Sequence, residues 1–147
     1  MRLRVMCLSL CMPTDAHRIV VGNYHLDGYG HVNNARYLEF LEAARWAWFA
    51  QHGLTAAARQ TRLVVLHINI RYRRAAVLDD VLTVHSRLCE VKSRLLRLTQ
   101  TVRRGSDTVA EAEVAIAPTD AAGNVVRLPD ALRGVLAELL AAGDSEV

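Results

Sequence analysis

The sequence has little of what marks extended, repetitive or membrane-spanning chains. Among 147 residues, 8 glycines and 3 prolines are too few for a collagen-like or low-complexity protein. The longest stretch without a charged side chain is 46–58, far short of the roughly 20 apolar residues that a membrane span needs, and the uncharged stretch 5–14 is shorter still. No internal repeat is present. With 52% apolar and 22% charged residues, the composition instead predicts one folded domain with a sizeable core.

Cysteine and metal-binding patterns are also scarce. The three cysteines, Cys7, Cys11 and Cys89, form no C-x-x-C pair and no Cys/His spacing typical of zinc sites. Their odd number favours reduced thiols in a cytoplasmic protein over a disulfide framework. Because phosphate-loop, dinucleotide-binding and metal motifs are missing as well, we expect neither a metal nor another cofactor.

Charge is distributed unevenly, although the net charge is only +3. Between Arg59 and Arg104 there are eleven basic and three acidic residues, which leaves +8 on this stretch. Such a cluster predicts a surface for phosphate groups or another acidic partner. The alternative is that the arginines point outward along solvated strands and serve solubility. The candidates for phosphate contacts are Arg71, Arg73, Arg74, Arg103 and Arg104.

Periodicity divides the chain into a strand, a helix, a strand-rich half and a second helix. Residues 17–24 have the pattern of a short strand, and 35–51 has a helical pattern that is apolar over most of its circumference. Such a helix is buried, so the sheet must curl around it or a second copy must cover the rest. Short turns between the later strands favour an antiparallel meander. These later elements are strands at 63–74, 81–91, 94–104, 108–118 and 125–128, and an amphipathic helix at 129–140.

The loop before the long helix concentrates polar side chains. Asp27, His31, Asn33 and Asn34 precede or begin this helix, where free N–H groups and the helix dipole stabilise an oxyanion. A carboxylate beside such a site can act as a base or a nucleophile, which suits acyl transfer at a thioester carbonyl. The alternative is structural, because Asp in a glycine-containing loop is most often a turn residue and Asn before a helix is most often a cap.

The run Asp27-x-x-Gly30-His31-Val32-Asn33-Asn34-x-x-Tyr37 resembles the signature of hot-dog-fold thioesterases. It is closest to the 4-hydroxybenzoyl-CoA thioesterase-like group, and it also resembles the plant-type acyl-ACP thioesterases. The resemblance implies an α+β hot-dog fold, in which a curled antiparallel sheet wraps around one long central helix and a C-terminal helix follows. Residues 1–12 are then expected to be an N-terminal extension, and 13–147 the thioesterase domain.

The resemblance also implies an activity, hydrolysis of an acyl thioester of CoA or acyl carrier protein to free acid and thiol. Asp27 matches the catalytic carboxylate of the 4-hydroxybenzoyl-CoA group, and the backbone amide near Asn34 matches the donor that polarises the carbonyl. His31 matches the histidine of the acyl-ACP group. That group carries Asn two residues after its Asp, where this chain has Tyr29, so the Asp-based mechanism is the one carried over. The expected substrate-binding residues are Gly30, Asn33, Tyr37, Arg71, Arg73 and Arg74.

Alternatives stay open for the carboxylate and for the reaction. Some hot-dog thioesterases use a glutamate on the helix, so Glu39 and Glu42 are further candidates, although Glu42 and Arg45 have the spacing of a surface ion pair. The same fold also serves acyl-thioester hydratases or dehydratases and non-catalytic acyl-CoA-binding proteins. The resemblance further implies a homodimer or homotetramer with the active site between subunits. The expected substrate partner is acyl-CoA or an acyl carrier protein, with neither nucleic acid nor membrane involved.

Overall fold

A computed structural model describes residues 16–143, so the expected extension at 1–12 lies outside the described residues. Five antiparallel strands form one sheet in the order β1-β3-β4-β5-β2. The strands are β1 (Ala16–Val20), β2 (Leu63–Tyr72), β3 (Val81–Val91), β4 (Leu96–Arg104) and β5 (Asp107–Pro118). The helices are α1 (Asn34–Gln51), α2 (Thr55–Gln60) and α3 (Asp130–Gly143), and a 3₁₀ turn covers Asn23–His25. The curled sheet, the long helix and the C-terminal helix confirm the predicted hot-dog fold.

The strand order departs from a simple meander at one connection. β3, β4 and β5 are neighbours in both sequence and space, as the short turns predict. β2 instead pairs with β5, and the segment 73–80 carries the chain across the sheet to β3. The strand expected at 125–128 is wrong, because only a single bridge between Thr119 and Val125 forms there. Alternation along a strand identifies the strand but not its partner.

The long helix α1 lies against the sheet on one side and is open on the other. Leu38 is 41% exposed and Trp46 38% exposed, both on the open side. The sheet of one chain therefore leaves this side of the helix exposed. No helix within residues 16–143 is long and apolar enough to cross a membrane. The buried side chains of α1 are Tyr37, Phe40, Leu41, Ala44, Arg45, Trp48 and Phe49.

A polar layer crosses the core between α1 and the sheet. The Gln100 amide donates to the carbonyl oxygen of Leu41 at 3.0 Å and to the Ser86 hydroxyl at 2.9 Å. The Arg45 guanidinium donates to Gln100 Oε1 at 3.0 Å. Hydrophobic clusters lie on either side of this layer, one toward the start of α1 and one toward its end. The expected surface pair of Glu42 and Arg45 is therefore wrong, because Arg45 turns inward to the sheet.

Candidate active site

The loop that precedes α1 is a tight hairpin closed by Asp27. The Asp27 N–H donates to the His31 carbonyl at 2.8 Å, and Asp27 Oδ1 accepts the N–H groups of Tyr29 (2.8 Å) and His31 (3.2 Å). Gly30 has φ +77°, a left-handed conformation that favours glycine. Within residues 16–143, no donor contacts Asp27 Oδ2. One carboxylate oxygen thus fixes the loop, and the other is available to a ligand or water.

The start of α1 presents one unused backbone donor. Asn33 Oδ1 caps the helix by accepting the Ala35 N–H at 2.9 Å, and the Asn33 carbonyl accepts the Arg36 N–H at 2.9 Å. The N–H of Asn34 meets no acceptor in the described part of the chain. The carbonyl of the same peptide unit is that of Asn33, and the Tyr72 hydroxyl donates to the next carbonyl along the chain, that of Asn34, at 2.9 Å. The Asn34 N–H is therefore oriented and unpaired, as an oxyanion donor must be.

A cavity of about 320 Å³ brings most of the predicted residues together. Gly30 and Asn33 shape its loop and cap the adjoining helix without lining it. Arg71 lies elsewhere, in a second cavity of about 340 Å³, with Glu111 as its neighbour across the strands. Arg71 is thus placed outside the site for which the sequence proposed it. The residues that line the first cavity are Asp27, His31, Val32, Asn34, Tyr37, Tyr72, Arg73, Arg74 and Ala75.

The buried His25 anchors the hairpin from behind. Its Nδ1 accepts the Gly22 N–H at 2.9 Å, and its ring packs edge-on against Phe40 at 4.9 Å between centroids. Burial, followed by the charge of Arg36, lowers the pKa of His25, so the ring stays neutral and Nδ1 keeps the lone pair that this bond needs. The His25 carbonyl accepts the N–H of Asn33 at 2.8 Å. Sequence reasoning missed this residue, because a histidine outside the motif carries no signal of burial.

Two tyrosines form the wall of the cavity between α1 and β2. The rings of Tyr37 and Tyr72 are 5.2 Å apart between centroids. Burial raises the pKa of both phenols, so both remain protonated at neutral pH. Tyr72 was missed as a site residue, because in a period-two pattern it is one more apolar side chain of a strand.

The two arginines at the cavity are held by surface carboxylates. Arg73 donates through Nε and Nη2 to Glu111 Oε2 at 3.0 and 2.9 Å, and Arg74 lies 3.6 Å from Asp107. The side chains of Arg73 and Arg74 are 49% and 59% exposed. Exposed pairs of this kind contribute about 0–1 kcal/mol, so a phosphate can displace the carboxylates at little cost.

Arg104 has a structural task instead. Its Nη1 donates to Asp80 Oδ2 at 2.7 Å and to the Ala75 carbonyl at 3.2 Å, while Asp80 Oδ2 also accepts the Val77 N–H at 2.9 Å. These bonds fix the segment 73–80, whose Ala76 carbonyl accepts the Val32 N–H at 2.8 Å. Arg104 therefore holds the segment that supports the hairpin closed by Asp27.

The described part of the chain contains no cluster of side chains suited to metal binding. No group of three or more His, Cys, Asp or Glu side chains within residues 16–143 is arranged to hold a metal ion. The polar groups of the cavity are one carboxylate, one imidazole, two phenols, two guanidinium groups and the helix N-terminus. This set can bind an anionic substrate, polarise a carbonyl and move a proton.

Comparison with known proteins identifies the family. Residues 21–136 match the profile of the thioesterase-like superfamily. The long-chain acyl-CoA thioesterase FadM of Escherichia coli (strain K12) is 44% identical, and the match covers 65% of this chain and 75% of FadM. The crystal structure of YbaW, a probable thioesterase from Escherichia coli, has a TM-score of 0.74 and 37% identity, covering 85% of this chain and 98% of that chain. A thioesterase from Thermus thermophilus, complexed with coenzyme A and Zn, has a TM-score of 0.76 and 26% identity, covering 86% and 93%. The chain therefore belongs to the thioesterase-like superfamily and is an enzyme of the thioesterase class.

Proposed function

We propose that this thioesterase hydrolyses acyl-CoA, with Asp27 as the catalytic carboxylate and the Asn34 N–H as the oxyanion donor. The observation that carries the proposal is the cavity in which a free carboxylate oxygen and a free helix N–H lie together. The names of FadM and of the coenzyme A complex from Thermus support CoA as the thiol. Acyl carrier protein remains the alternative carrier of the acyl group.

In the reaction, the thioester carbonyl oxygen accepts the Asn34 N–H, which polarises the carbonyl carbon. Asp27 Oδ2 then takes a proton from water as the hydroxide adds, or attacks the carbon itself to form an anhydride that water opens. The tetrahedral intermediate collapses by breaking the C–S bond, and the thiolate leaves and takes up a proton. A donor of this kind contributes about 10²–10³ in kcat, and a general base about 10²–10⁴. His31, which also lines the cavity, shapes the loop or shares the proton transfer.

The remaining predicted residues bind substrate in this proposal. Tyr37 packs beside the acyl group, and Gly30 and Asn33 hold the hairpin and helix cap in place. Arg73 and Arg74 lie at the exposed rim of the cavity, where their charges bind the phosphates of CoA or an acidic carrier surface. Phosphate contacts so far from the carbonyl contribute mainly uniform binding, which affects KM.

We further propose that the working unit contains at least two copies. β2 is an edge strand, and its residues Val64, Val65 and Leu66 are 40%, 42% and 54% exposed. On the open face of α1, Trp46 lines a cavity together with Val65 of this edge, and Leu38 is exposed as well. An apolar edge beside an apolar helix face favours a second copy as cover, because both surfaces gain by leaving water. A homodimer satisfies this requirement, and a tetramer adds a second contact.

The proposal is tested by a turnover screen. Short, long and aromatic acyl-CoAs are compared with the same acyl groups on acyl carrier protein, and free acid and thiol are quantified together. We expect equal release of acid and thiol, with higher kcat/KM for the CoA esters. Addition or loss of water with the thioester intact would assign a hydratase or dehydratase. Saturable binding without turnover across the panel would assign an acyl-CoA-binding protein.

A further inference from the structure

Arg45 is a buried cation that forms no ion pair within residues 16–143. Burial lowers the pKa of Arg45, and the charge of Glu42 on the same helix offsets part of that effect. Arg45 is 7% exposed, and its hydrogen bond within residues 16–143 goes to the neutral oxygen of Gln100 at 3.0 Å. A guanidinium carries five N–H donors and stays charged at neutral pH. Burying such a charge is costly unless it is paired. The charge of Glu42 acts on Arg45 from the same helix, but no carboxylate within residues 16–143 forms an ion pair with the guanidinium.

The unused donors of Arg45 open into a cavity of about 180 Å³. Every fully buried side-chain nitrogen or oxygen in the described chain has a partner, so these donors are not sealed in the core. The cavity lies at the edge strand β2, on the open side of α1. This is the surface that the proposed second copy covers. Its lining residues are Glu42, Arg45, Trp46, Phe49, Leu63, Val65 and Ile116.

Glu42 is the carboxylate at this cavity, and it is unpaired as well. No ion pair within residues 16–143 includes Glu42 or Arg45. The other acidic residue of α1, Glu39, is already bound to Arg36 at 2.9 Å. The same patch thus offers one free cation and one free anion, three residues apart on one helix.

We infer that Glu42 of each copy pairs with Arg45 of the other across a two-fold axis. In an isologous interface the same patch meets itself, so a contact from residue i to residue j is repeated from j to i. Two antiparallel α1 helices related by an axis near residues 43–44 bring Glu42 level with Arg45 of the partner subunit. Two identical ion pairs then fill the two cavities and fix the register of the helices. This inference rests on the proposed dimer and adds its polar determinant.

Zero-length cross-linking tests this contact directly. Arg45→Lys keeps the positive charge and supplies an amine, in a chain whose only other lysine is Lys92. A carbodiimide joins an amine to a carboxylate in contact with it. We expect Arg45→Lys to give a covalent dimer on a denaturing gel, with the new amine joined to the Glu42 peptide by mass spectrometry. The double variant Arg45→Lys/Glu42→Gln should give none, and Arg45→Lys/Glu39→Gln, the matched control, should still give it.

Sedimentation of variants at the exposed Glu42 gives an independent measure. Glu42→Gln should raise the dimer dissociation constant about 100-fold or more, and Glu42→Arg should raise it further by facing two cations, with circular dichroism unchanged. Glu39→Gln should leave it near the wild-type value. Unchanged self-association in the Glu42 variants, a monomeric wild type, or a dimer that gives no Glu42 cross-link would overturn the inference. A dimer without the Glu42 cross-link is also the result expected if a small carboxylate ligand, and not Glu42 of the partner subunit, occupies the cavity beside Arg45. Thioester hydrolysis by the wild type is measured separately, so failure of the activity and failure of the ion pair are distinguishable.

Discussion

Replacing Asp27 with asparagine separates the chemistry of the carboxylate from its part in the turn. The amide oxygen of Asn can still accept the N–H groups of Tyr29 and His31, which lie 2.8 and 3.2 Å from Oδ1. The hairpin should therefore survive, and the free Oδ2 should lose its negative charge. Loss of a general base lowers kcat by about 10²-fold or more, which corresponds to about 2.7 kcal/mol in activation free energy. KM should change little.

Two further Asp27 variants show whether the loss of activity comes from the position of the carboxylate or from disruption of the turn. Asp27→Glu keeps the charge but moves the carboxylate by about 1 Å, and a displacement of this size can lower the rate about 10²-fold. Asp27→Ala removes the acceptor of both N–H groups and should lower stability by about 1 kcal/mol in addition to abolishing activity. His31→Ala should do less harm than Asp27→Asn. Equal losses would indicate that both residues share the proton transfer.

The assay follows disappearance of the thioester by its absorbance, because the exposed Cys89 would itself react with a thiol reagent. Single-turnover measurements with excess enzyme report the chemical step apart from product release. Near-normal kcat in folded Asp27→Asn, on the best substrate found, would refute the assignment. Glu39 and Glu42 would then be tested, although Glu39 is paired with Arg36 and Glu42 lines the other cavity.

Three other variants probe the supports of the site. Arg74→Glu should raise KM for acyl-CoA with kcat nearly unchanged, and this increase in KM should shrink as salt is added. Arg71→Glu, at a residue outside the cavity, is the control. Equal increases in KM for both variants would assign these charges to long-range attraction of the substrate. Gly30→Ala should lower the free energy of unfolding, measured by thermal unfolding, by about 1–2 kcal/mol, because Gly30 has φ +77°. Gly28→Ala, at a residue without positive φ, should lower it by less. A larger loss of stability in Gly28→Ala than in Gly30→Ala would contradict this account of the hairpin. The Val77 N–H and Arg104 hold the pKa of Asp80 below its usual range, so its stabilisation is fully present above the ordinary Asp pKa and is lost as pH falls through the lower folded value. Asp80→Asn should therefore be less stable than wild type at neutral pH, with the difference narrowing in acid; a pH-independent difference in denaturant unfolding would exclude this role.

The fold was predictable where a local pattern determines it. Alternation revealed four long strands, and the apolar pattern located α1 within one residue of its observed start. The 3₁₀ turn and α2 were missed, because three and six residues are too few to establish a helical period. The pairing of β2 with β5 was also missed, since it joins residues such as Ile70 and Ala112, which are far apart in the sequence.

The site was predictable only as far as the motif extends. Asp27, His31 and Asn34 lie within eight residues and line one cavity, so their spacing sufficed to group them. Tyr72 and the segment 73–80 reach the same cavity from the strand-rich half, and no local spacing indicates this contact. The inward turn of Arg45 was unforeseen for the same reason, because its acceptor Gln100 belongs to β4.

The bond between the Val32 N–H and the Ala76 carbonyl has a consequence for synthesis on the ribosome. The hairpin closed by Asp27 is made early, but the backbone that supports it follows 44 residues later, and β1 awaits a partner strand that begins at Val81. At about 5–20 residues per second, the hairpin spends roughly 2–9 s without its support. A nascent chain stalled before residue 76 carries the complete motif without the backbone that supports it. The proposed active site therefore forms late in translation, when the C-terminal strands close the sheet.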